Sequence, residues 1–305
     1  MRAASMRIGD RLMEEPEMKT GATTWPNGSK IAVALTVMFE TWPEGKWPPY
    51  AAQRWQPKPG ALDHQSISFA QYGGKAGIWR ILNILDKAGM PATFCTNAHS
   101  VEVYPEAAAQ VVKCGHDFAA HGYTQDAHLA DMTAEQEQAT IRRCIEVLEK
   151  NTGQRPQGWL SPILAWTAHT DGFLAQEKML WHGDANYTDL PRRVHTPHGT
   201  IAHVPHSDYT DNRVLWLSPQ DYFNVYKDTF DYLYANEPLS LMVMTLHCHF
   251  GGRPLMSAQM HKLLRYFSSF PGVWFARHRE LAQWALEGDA DEISNAQRFF
   301  PQLPQ

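Results

Sequence analysis

Three residues far apart in the chain place acidic or basic side chains at the ends of apolar segments. Glu40 ends the run VALTVMFE, His121 lies in GHDFAAHGY, and His247 ends LMVMTLH. A carboxylate at such an end would be partly desolvated, which would raise its pKa toward the working range of a general base. We therefore predict Glu40 as a catalytic residue. The alternative is a solvated glutamate just past a strand.

The loop after His121 carries further groups that suit a metal. Asp126 and His128 follow His121 within eight residues, and Gly122 helps the loop to turn. Two histidines and an acid this close together can converge on one metal ion or on one substrate. Alternatively, Asp126 and His128 cap the next helix or face water. We predict His121, Asp126 and His128 as candidate metal ligands.

A second histidine, His249, follows His247 at a spacing that sends both side chains to the same face of a strand. Such a pair suits proton delivery to a leaving nitrogen, which makes His247 the second catalytic candidate, or a further contribution to a metal site. The turn FGGRP after it would hold Arg253 rigidly. Our substrate-binding candidates follow predicted strands or lie in an aromatic loop: Trp42, Asn97, Trp159, Asp184, Asn212, His249 and Arg253. For the Asp and Asn members, Asx turns in polar loops are the competing interpretation.

These residues must be positioned by a regular alternation of strands and helices. Short apolar runs alternate with helical patterns, which is typical of βα units around a parallel sheet. About eight runs are predicted as strands: 31–39, 91–97, 117–121, 158–161, 179–184, 200–206, 240–247 and 272–276. The fold class is therefore α/β, a distorted barrel with seven or eight parallel strands.

The active site of a parallel barrel lies at the carboxyl ends of its strands. Polar or titratable residues end nearly every predicted strand: Glu40, Asn97, His121, Ser161, Asp184, His206 with Asp208, and His247. This pattern predicts an enzyme. Asp211 belongs to the same polar group as Asp208 and Asn212.

Several helices and loops are also predicted. Residues 75–89 have helical apolar spacing and end at a glycine, and residues 105–115 form a further helix. Thr133 and Gln136 fit a capping box that opens another helix. Residues 42–60 form a long loop with three tryptophans, which could close over a compact ring together with Trp159 and Trp166.

Composition excludes several classes of function. The net charge of -5 provides no basic field for nucleic acid, and no run approaches the length of a membrane span. Four singly spaced cysteines indicate reduced thiols, and no signal peptide is apparent, so we expect a cytoplasmic protein. No GxSxG elbow or glycine-rich phosphate loop occurs. The counts of 15 His and 11 Trp point instead to a site with titratable groups and apolar walls.

Over residues 25–287 the chain resembles the polysaccharide deacetylase (NodB-like) family, in particular its branch with allantoinases, cyclic-imide hydrolases and some peptidoglycan deacetylases. The resemblance rests on a series of motifs in order: VMFETWPEG, YGGKAGIWRILNILDKAGMPATFCTN, AAQVVKCGHDFAAHGY, GWLSP, WHGDANYTDLP, TLHCHFGGRP and WFARHRELAQWALE. It implies a NodB-like barrel with Glu40 as base, His121 in a loop after the third strand, and His247 as acid. The expected domains are an N-terminal extension (1–24), the barrel (25–287) and a tail (288–305).

The chain departs from the pattern of the metal-dependent deacetylases at three positions. Thr41 replaces the second acid of the first motif, Gln125 replaces the second histidine, and Leu160 replaces the arginine of the third motif. Either Asp126, His128 or His249 supplies replacement ligands, or the enzyme works without a metal. We favour one divalent metal, zinc or manganese.

Together these features predict a hydrolase of a non-peptide C–N amide bond, acting by general acid and base catalysis on a small cyclic amide, imide, ureide or N-acetyl group. The alternatives are a non-catalytic barrel that binds a metabolite or carbohydrate, and a polysaccharide or peptidoglycan N-deacetylase. We expect a small-molecule substrate and no nucleic acid or membrane partner. The tail with Phe299 and Phe300 is predicted to anchor a homo-oligomer.

Overall fold

The fold is taken from a computed structural model, which describes residues 24–51, 58–207, 209–288, 298–300 and 302. Most of the predicted N-terminal extension and C-terminal tail lies outside these residues, as do Asp208 and part of the tryptophan-rich loop. The domain boundaries therefore stay predictions. Phe299 and Phe300 are described and are exposed.

Within the described residues, nine strands form one sheet. Their bounds are β1 Ile31–Phe39, β2 Thr93–Thr96, β3 Asp117–Ala120, β4 Gly158–Trp159, β5 Trp181–His182, β6 Arg192–Thr196, β7 Gly199–His203, β8 Ser240–His247 and β9 Val273–Ala276. The strand order is β6-β7-β5-β4-β3-β2-β1-β8, and β9 pairs with the first half of β1. All pairs are parallel except β6 with β7. The predicted distorted barrel with seven or eight parallel strands is confirmed.

The antiparallel strand β6 was not predicted from the sequence. Its residues are RRVHT, and every one of them is at least partly exposed, so β6 has no apolar run to mark it. It forms a hairpin with β7 at one end of the strand order. At the other end lies β8, and an isolated parallel bridge joins its Thr245 to Thr210. Among the described residues, no continuous ladder closes the curled sheet.

Helices alternate with the strands. Their bounds are α1 His64–Tyr72, α2 Ile78–Ala88, α3 Ala98–Val103, α4 Pro105–Lys113, α5 Ala134–Thr152, α6 Thr170–Gln176, α7 Pro219–Asn236, α8 Pro254–Ser268 and α9 His278–Glu287. The predicted capping box is present, because Thr133 and Gln136 bond each other's backbone N–H groups at the start of α5. The helix predicted at 75–89 ends as expected at Gly89, whose φ of 62° is the left-handed conformation that glycine adopts without strain. No described helix is both long and apolar enough to cross a bilayer.

The two faces of the sheet have different cores. In β1, Val33 and Val37 pack into a large cluster that contains residues of α2, α4, α5, α7 and α8. The alternate residues Ala34 and Met38 belong to a second cluster with α9. Because strand side chains alternate between faces, Glu40 continues the series of Met38 and lies on the inner face. The same alternation places His121 on the side of Ala119, and His247 on the side of Val243.

Candidate active site

The structure brings Glu40, His121 and His247 together at the carboxyl ends of β1, β3 and β8. The Glu40 Oε1 atom lies 3.5 Å from His121 Nε2 and 3.7 Å from His247 Nε2. All three side chains are buried. A carboxylate is thus placed between two imidazoles that come from distant parts of the chain.

His121 is held in one orientation by its backbone neighbours. Its Nδ1 lies 2.6 Å from the carbonyl oxygen of Leu160. Since a carbonyl can only accept, Nδ1 carries the hydrogen and donates it. The Nε2 atom is buried and has no hydrogen-bond partner among the residues that the structure describes. His121 therefore presents an unsatisfied nitrogen beside the Glu40 carboxylate.

Asn97 connects the loops that carry these residues. Its side-chain oxygen accepts a hydrogen bond from the Thr41 backbone N–H at 2.9 Å. Its side-chain nitrogen donates to the His121 carbonyl oxygen. Asn97 is fully buried, so it fixes the backbone beside Glu40 to the backbone of His121.

His247 is oriented by the carboxylate of Asp211. One oxygen of Asp211 lies 2.5 Å from His247 Nδ1, and the other accepts the His247 backbone N–H at 2.8 Å. Burial opposes the charged imidazole, but the carboxylates of Asp211 and Glu40 outweigh it and raise the pKa of His247 to about 9. His247 is therefore protonated at neutral pH, with Nε2–H directed toward Glu40.

The pKa of Glu40 differs from the sequence prediction. Burial alone would raise this pKa, as expected, but the imidazoles of His247, His121 and His249 lower it to about 2. The prediction of a raised pKa was wrong because a charged imidazole far along the chain stabilises the ionised form. Glu40 is a carboxylate at neutral pH.

His249 lies behind Glu40 and supports the loop above it. Its Nδ1 is 3.8 Å from Glu40 Oε2, and its Nε2 is 2.7 Å from the Tyr50 hydroxyl. The rings of Tyr50 and Trp42 contact its imidazole by stacking and by an edge contact, respectively. Burial lowers the pKa of His249 to about 3, so this imidazole is neutral. It joins the loop after β1 to the Glu40 carboxylate.

A cavity of about 700 Å³ opens above Glu40, His121 and His247. Residues of the loop after β1 form one wall, in which the ammonium group of Lys46 pairs with the Asp126 carboxylate. The remaining walls combine aromatic, aliphatic and polar side chains. Among the residues that line it are Trp42, Lys46, Trp47, Tyr50, Asp126, His128, Leu160, Ser161, His206, Asn212 and Arg213.

Two of the seven predicted substrate-binding residues, Trp42 and Asn212, line this cavity. The other five lie behind its walls: Asn97, Trp159, Asp184, His249 and Arg253. Trp159 is fully buried in the helix-side core and donates from its indole N–H to the Ser161 hydroxyl at 2.9 Å. Its contact with substrate is not supported, because its ring lies on the outer face of the sheet.

The two charged members of this group hold backbone in place. Asp184 accepts the Ser161 backbone N–H at 2.7 Å, and Arg253 donates from Nε to the His249 carbonyl oxygen at 3.1 Å. The Arg253 guanidinium also lies over the rings of Phe69 and Tyr72. Trp166, predicted as part of a lid, contacts His182 instead.

The predicted metal ligands do not form a compact set. Asp126 is paired with Lys46, and His128 Nδ1 lies 3.4 Å from the carboxylate of Asp131. Within the described residues, the group with three potential ligand atoms all within 4.8 Å is a different one, Asp171, His182 and His203. The assignment of a metal to His121, Asp126 and His128 stays a prediction without a preformed ligand set.

Thr41 and Gln125 stand at the positions where metal-dependent deacetylases have two of their metal ligands. Their side chains do not suit a divalent ion either. The Thr41 hydroxyl shares a hydrogen bond with the Ser100 hydroxyl at 3.1 Å, and the Gln125 backbone N–H donates to the Thr41 carbonyl. Neither side chain offers the charge or the basic nitrogen of the residues they replace. The resemblance implies a metal held by the second acid of the first motif and by two histidines, and of these three ligands the chain keeps His121.

Two residues central to this site were not chosen from the sequence. Asp211 appeared only as one of several acids in a polar stretch, and nothing local distinguished it from Asp208. Tyr50 lies in the loop after β1, where only its aromatic type was a signal. Both act through side chains from other parts of the chain, His247 and His249, so tertiary contacts were needed to identify them.

Comparison with known sequences identifies relatives. Residues 67–179, which include His121, match the family model described as polysaccharide deacetylase. A peptidoglycan deacetylase of Helicobacter pylori is 26% identical in an alignment of 255 residues that covers 71% of this chain and 86% of the relative. A putative polysaccharide deacetylase of Schizosaccharomyces pombe is 25% identical in an alignment of 301 residues that covers 86% of this chain and 92% of the relative.

Solved structures show the same fold. A probable polysaccharide deacetylase from Pseudomonas aeruginosa has a TM-score of 0.76 and 26% identity, over 86% of this chain and 93% of its own. The allantoinase Puue has a TM-score of 0.78 and 26% identity, over 89% of this chain and 95% of its own. In fold, motifs and relatives, the chain is similar to the polysaccharide deacetylases, which are hydrolases of C–N bonds other than peptide bonds.

Proposed function

We propose that this protein hydrolyses the C–N bond of a small cyclic amide, imide or ureide. The observation that carries the proposal is the ionised Glu40 beside the protonated His247, with 3.7 Å between Oε1 and Nε2, under a cavity of about 700 Å³. A carboxylate base and an imidazolium acid on one side of a cavity are the two groups that amide hydrolysis needs.

Glu40 acts as the general base in this mechanism. Its carboxylate takes a proton from a water molecule as the water oxygen attacks the amide carbonyl carbon. The unsatisfied Nε2 of His121 accepts the other hydrogen of this water and so positions it. The product of the step is a tetrahedral intermediate with a negatively charged oxygen.

His247 acts as the general acid. Its Nε2–H proton passes to the amide nitrogen as the C–N bond breaks and the carbonyl forms again. Asp211 binds Nδ1–H throughout, which fixes the ring and stabilises its charged form. The proton taken up by Glu40 then returns to solvent or to His247, and the site is restored. None of these steps involves a metal, because Thr41 and Gln125 replace two of the metal ligands of the metal-dependent deacetylases.

The size and walls of the cavity support a compact substrate. Its volume lies within the range of about 300–1,000 Å³ that is typical of sites for small molecules. Trp42, Trp47 and Tyr50 in the lining provide apolar faces for a flat ring, while Asn212 and Arg213 offer polar groups. The similarity to a solved allantoinase over 95% of its chain agrees with a ureide or a related ring.

A second candidate function is N-deacetylation of a saccharide. The similarity to the Helicobacter pylori peptidoglycan deacetylase favours it, and the same base and acid would serve. Lys46 and Asp126 at the cavity wall would then contact sugar hydroxyls. The missing metal ligands favour neither substrate and are also compatible with a barrel that only binds its ligand.

A substrate panel tests the proposal. Purified protein is incubated with hydantoin, succinimide, allantoin and N-acetylglucosamine oligomers, and ring opening and acetate release are followed separately. We expect ring opening of at least one cyclic compound and no acetate release. Acetate release without ring opening would replace the first proposal by the second.

The matched variant is His247→Gln, which keeps a polar side chain but cannot donate a proton as an imidazolium does. It should lower any true activity by roughly 10²–10⁴-fold. The exposed His198→Gln is the control, since His198 lies outside the cavity lining. Tight ligand binding without turnover in the unmodified protein would show a binding protein instead of an enzyme.

A further inference from the structure

A second cluster of imidazoles and carboxylates lies outside the cavity, at the side of the barrel formed by α6, β5 and β7. The carboxylate of Asp171 faces two histidines. Its Oδ1 atom is 2.8 Å from His182 Nδ1 and 2.9 Å from His203 Nε2, and its Oδ2 atom is 3.1 Å from the same His203 nitrogen. These three side chains form the compact group of potential ligand atoms found among the described residues.

Each histidine of this group has a polar partner on its other nitrogen. His182 Nε2 lies 2.8 Å from a carboxylate oxygen of Asp184, and His203 Nδ1 lies 3.3 Å from the Tyr187 hydroxyl. Metal-bound histidines are usually oriented in this way, by a carboxylate or another polar group on the nitrogen that does not touch the ion. His182 and His203 are thus held with Nδ1 and Nε2, respectively, directed at Asp171.

We propose that Asp171, His182 and His203 bind one divalent transition-metal ion of the zinc class. Two imidazole nitrogens and one carboxylate suit zinc, cobalt or nickel, whereas magnesium and calcium prefer sites made of oxygen alone. The proposal does not depend on the proposed function, since none of the three residues lines the catalytic cavity.

The distances fit an ion after a small adjustment. Zinc binds nitrogen and carboxylate oxygen at about 2.0–2.2 Å, so tetrahedral ligand atoms lie roughly 3.3 Å apart. The present separations of 2.8 and 2.9 Å are those of hydrogen bonds and would widen by roughly half an ångström. The ion replaces the hydrogen on His182 Nδ1, and this proton is released to solvent. The hydrogen of His203 moves from Nε2 to Nδ1, beside the Tyr187 hydroxyl, so that both rings bind the ion as neutral imidazoles.

Charge also favours an ion at this position. Both nitrogens of His182 face carboxylates, so without a metal this ring donates two hydrogens and carries one positive charge against Asp171 and Asp184. A divalent ion with two neutral imidazoles would balance both carboxylates. Asp171 is only half-buried and Trp166, which contacts both imidazoles edge-on, is 36% exposed, so an ion can enter from solvent.

A bound ion would act on the wall of the catalytic cavity through Asp184. The second oxygen of this carboxylate accepts the backbone N–H of Ser161, and Ser161 lines the cavity. The ion would therefore tie α6, β5 and β7 together and hold this wall in place. We expect a structural effect, with the ion taking no part in bond cleavage.

Metal binding can be measured without any substrate. The full chain, prepared without a histidine tag and stripped with EDTA, is dialysed against buffer with Zn²⁺ and analysed for bound metal. We expect one equivalent, a higher melting temperature, and at least tenfold weaker binding in His203→Ala and Asp171→Asn. His198→Ala and Glu40→Gln, which lie outside the cluster, should bind Zn²⁺ as the unmodified protein does.

Crystals of the unmodified protein soaked in Zn²⁺ provide a test that does not depend on the folding of variants. The anomalous signal should lie between Asp171, His182 and His203. A signal beside Glu40 and His121 instead, no bound zinc, or unchanged binding in both cluster variants would overturn the proposal. None of these outcomes bears on whether the protein hydrolyses an amide.

Discussion

Two clusters in this molecule use the same side chains at different spacing. Around Glu40, three imidazole nitrogens lie 3.5 to 3.8 Å from the carboxylate, which is beyond a good hydrogen bond. Around Asp171, two imidazole nitrogens lie within 2.9 Å of one oxygen. The first cluster is open to a cavity, and among the described residues its His121 Nε2 has no hydrogen-bond partner. In the second cluster, the imidazole nitrogens are hydrogen-bonded within the cluster and its neighbours.

The difference in the distances between carboxylate and imidazole suits the two clusters to different roles. Loosely placed groups with unsatisfied atoms can accept water and substrate and exchange protons with them. Tightly paired groups hold a fixed geometry and suit a structural role or a bound ion. Variants in each cluster should therefore have different consequences, for activity in the first and for stability in the second.

The largest expected effect is that of Glu40→Gln on activity. The amide keeps the volume of the side chain but cannot accept a proton from water, so turnover should fall by roughly 10³-fold, within the usual range for a general base. Steady-state assays on the substrate found in the panel measure it, with circular dichroism to establish the fold.

Glu44→Gln is the control for this variant, because Glu44 is exposed in the same loop. Its activity should match that of the unmodified protein. If Glu40→Gln retains more than a tenth of the activity, Glu40 is not the base, and the first cluster resembles the second in being structural.

Asp184→Asn tests the second cluster and should reduce stability more than activity. Asp184 is fully buried between His182 Nε2 and the Ser161 N–H, so neutralising it leaves a buried charge pair incomplete. Breaking such a pair costs about 3–5 kcal/mol. Urea unfolding of the metal-free protein measures the free energy of unfolding.

Asp189→Asn is the control for Asp184→Asn, because the Asp189 side chain is exposed. The free energy of unfolding of this variant should stay within about 0.5 kcal/mol of that of the unmodified protein. A large loss of activity in Asp184→Asn without a loss of stability would contradict the separation of the two clusters.

Asp211→Asn should change the pH dependence of the reaction. His247 must be protonated to act as acid, so activity is lost as pH rises through its pKa of about 9. Removing the Asp211 charge lowers this pKa, which moves the alkaline limb of the pH–rate profile to lower pH and reduces turnover by about tenfold near neutrality. The profile of kcat against pH measures both effects.

Asp221→Asn is a suitable control because Asp221 lies in the first turn of α7 and outside the cavity lining. The alkaline limb should stay in place for this variant. If it also stays in place for Asp211→Asn, the limb does not belong to His247.

The smallest expected effect is that of Tyr50→Phe. This change removes the hydroxyl that bonds His249 Nε2 at 2.7 Å and leaves that nitrogen without its partner. The cost should be about 1 kcal/mol of stability and a few-fold rise in KM, since the loop after β1 forms a wall of the cavity. Thermal unfolding and substrate titration measure the two quantities, and a large fall in kcat would assign His249 a catalytic role.

The strand and helix pattern could be predicted because it depends on local periodicity. The predicted strand at 31–39 coincides with β1 and that at 240–247 with β8, since both are long and apolar. The polar strand β6 lacks that signal, and the two-residue strand β4 is too short to tell on which face Trp159 lies. Local patterns therefore predict long buried elements better than short or partly exposed ones.

Part of the candidate site followed from the same periodicity. Side chains alternate between the two faces of the sheet along β1, β3 and β8. Extended to the strand ends, this alternation places Glu40, His121 and His247 on the inner face, at the carboxyl ends of parallel strands. Asn97 and Asp184 were chosen by the same criterion, as polar residues at the ends of predicted strands, yet they lie behind the cavity walls. A strand end sets the approximate position of a residue but not the direction of its side chain.

The order of most strands and helices and the residue types at the strand ends could be predicted from the chain alone, because these depend on local spacing. The protonation of Glu40 and His247, the partnership of His247 with Asp211, and the meeting of Asp171, His182 and His203 became apparent in the folded structure. Each of these depends on charges and hydrogen bonds between residues from different elements, whose energies change over fractions of an ångström to a few ångströms. No local pattern in the chain encodes distances on that scale.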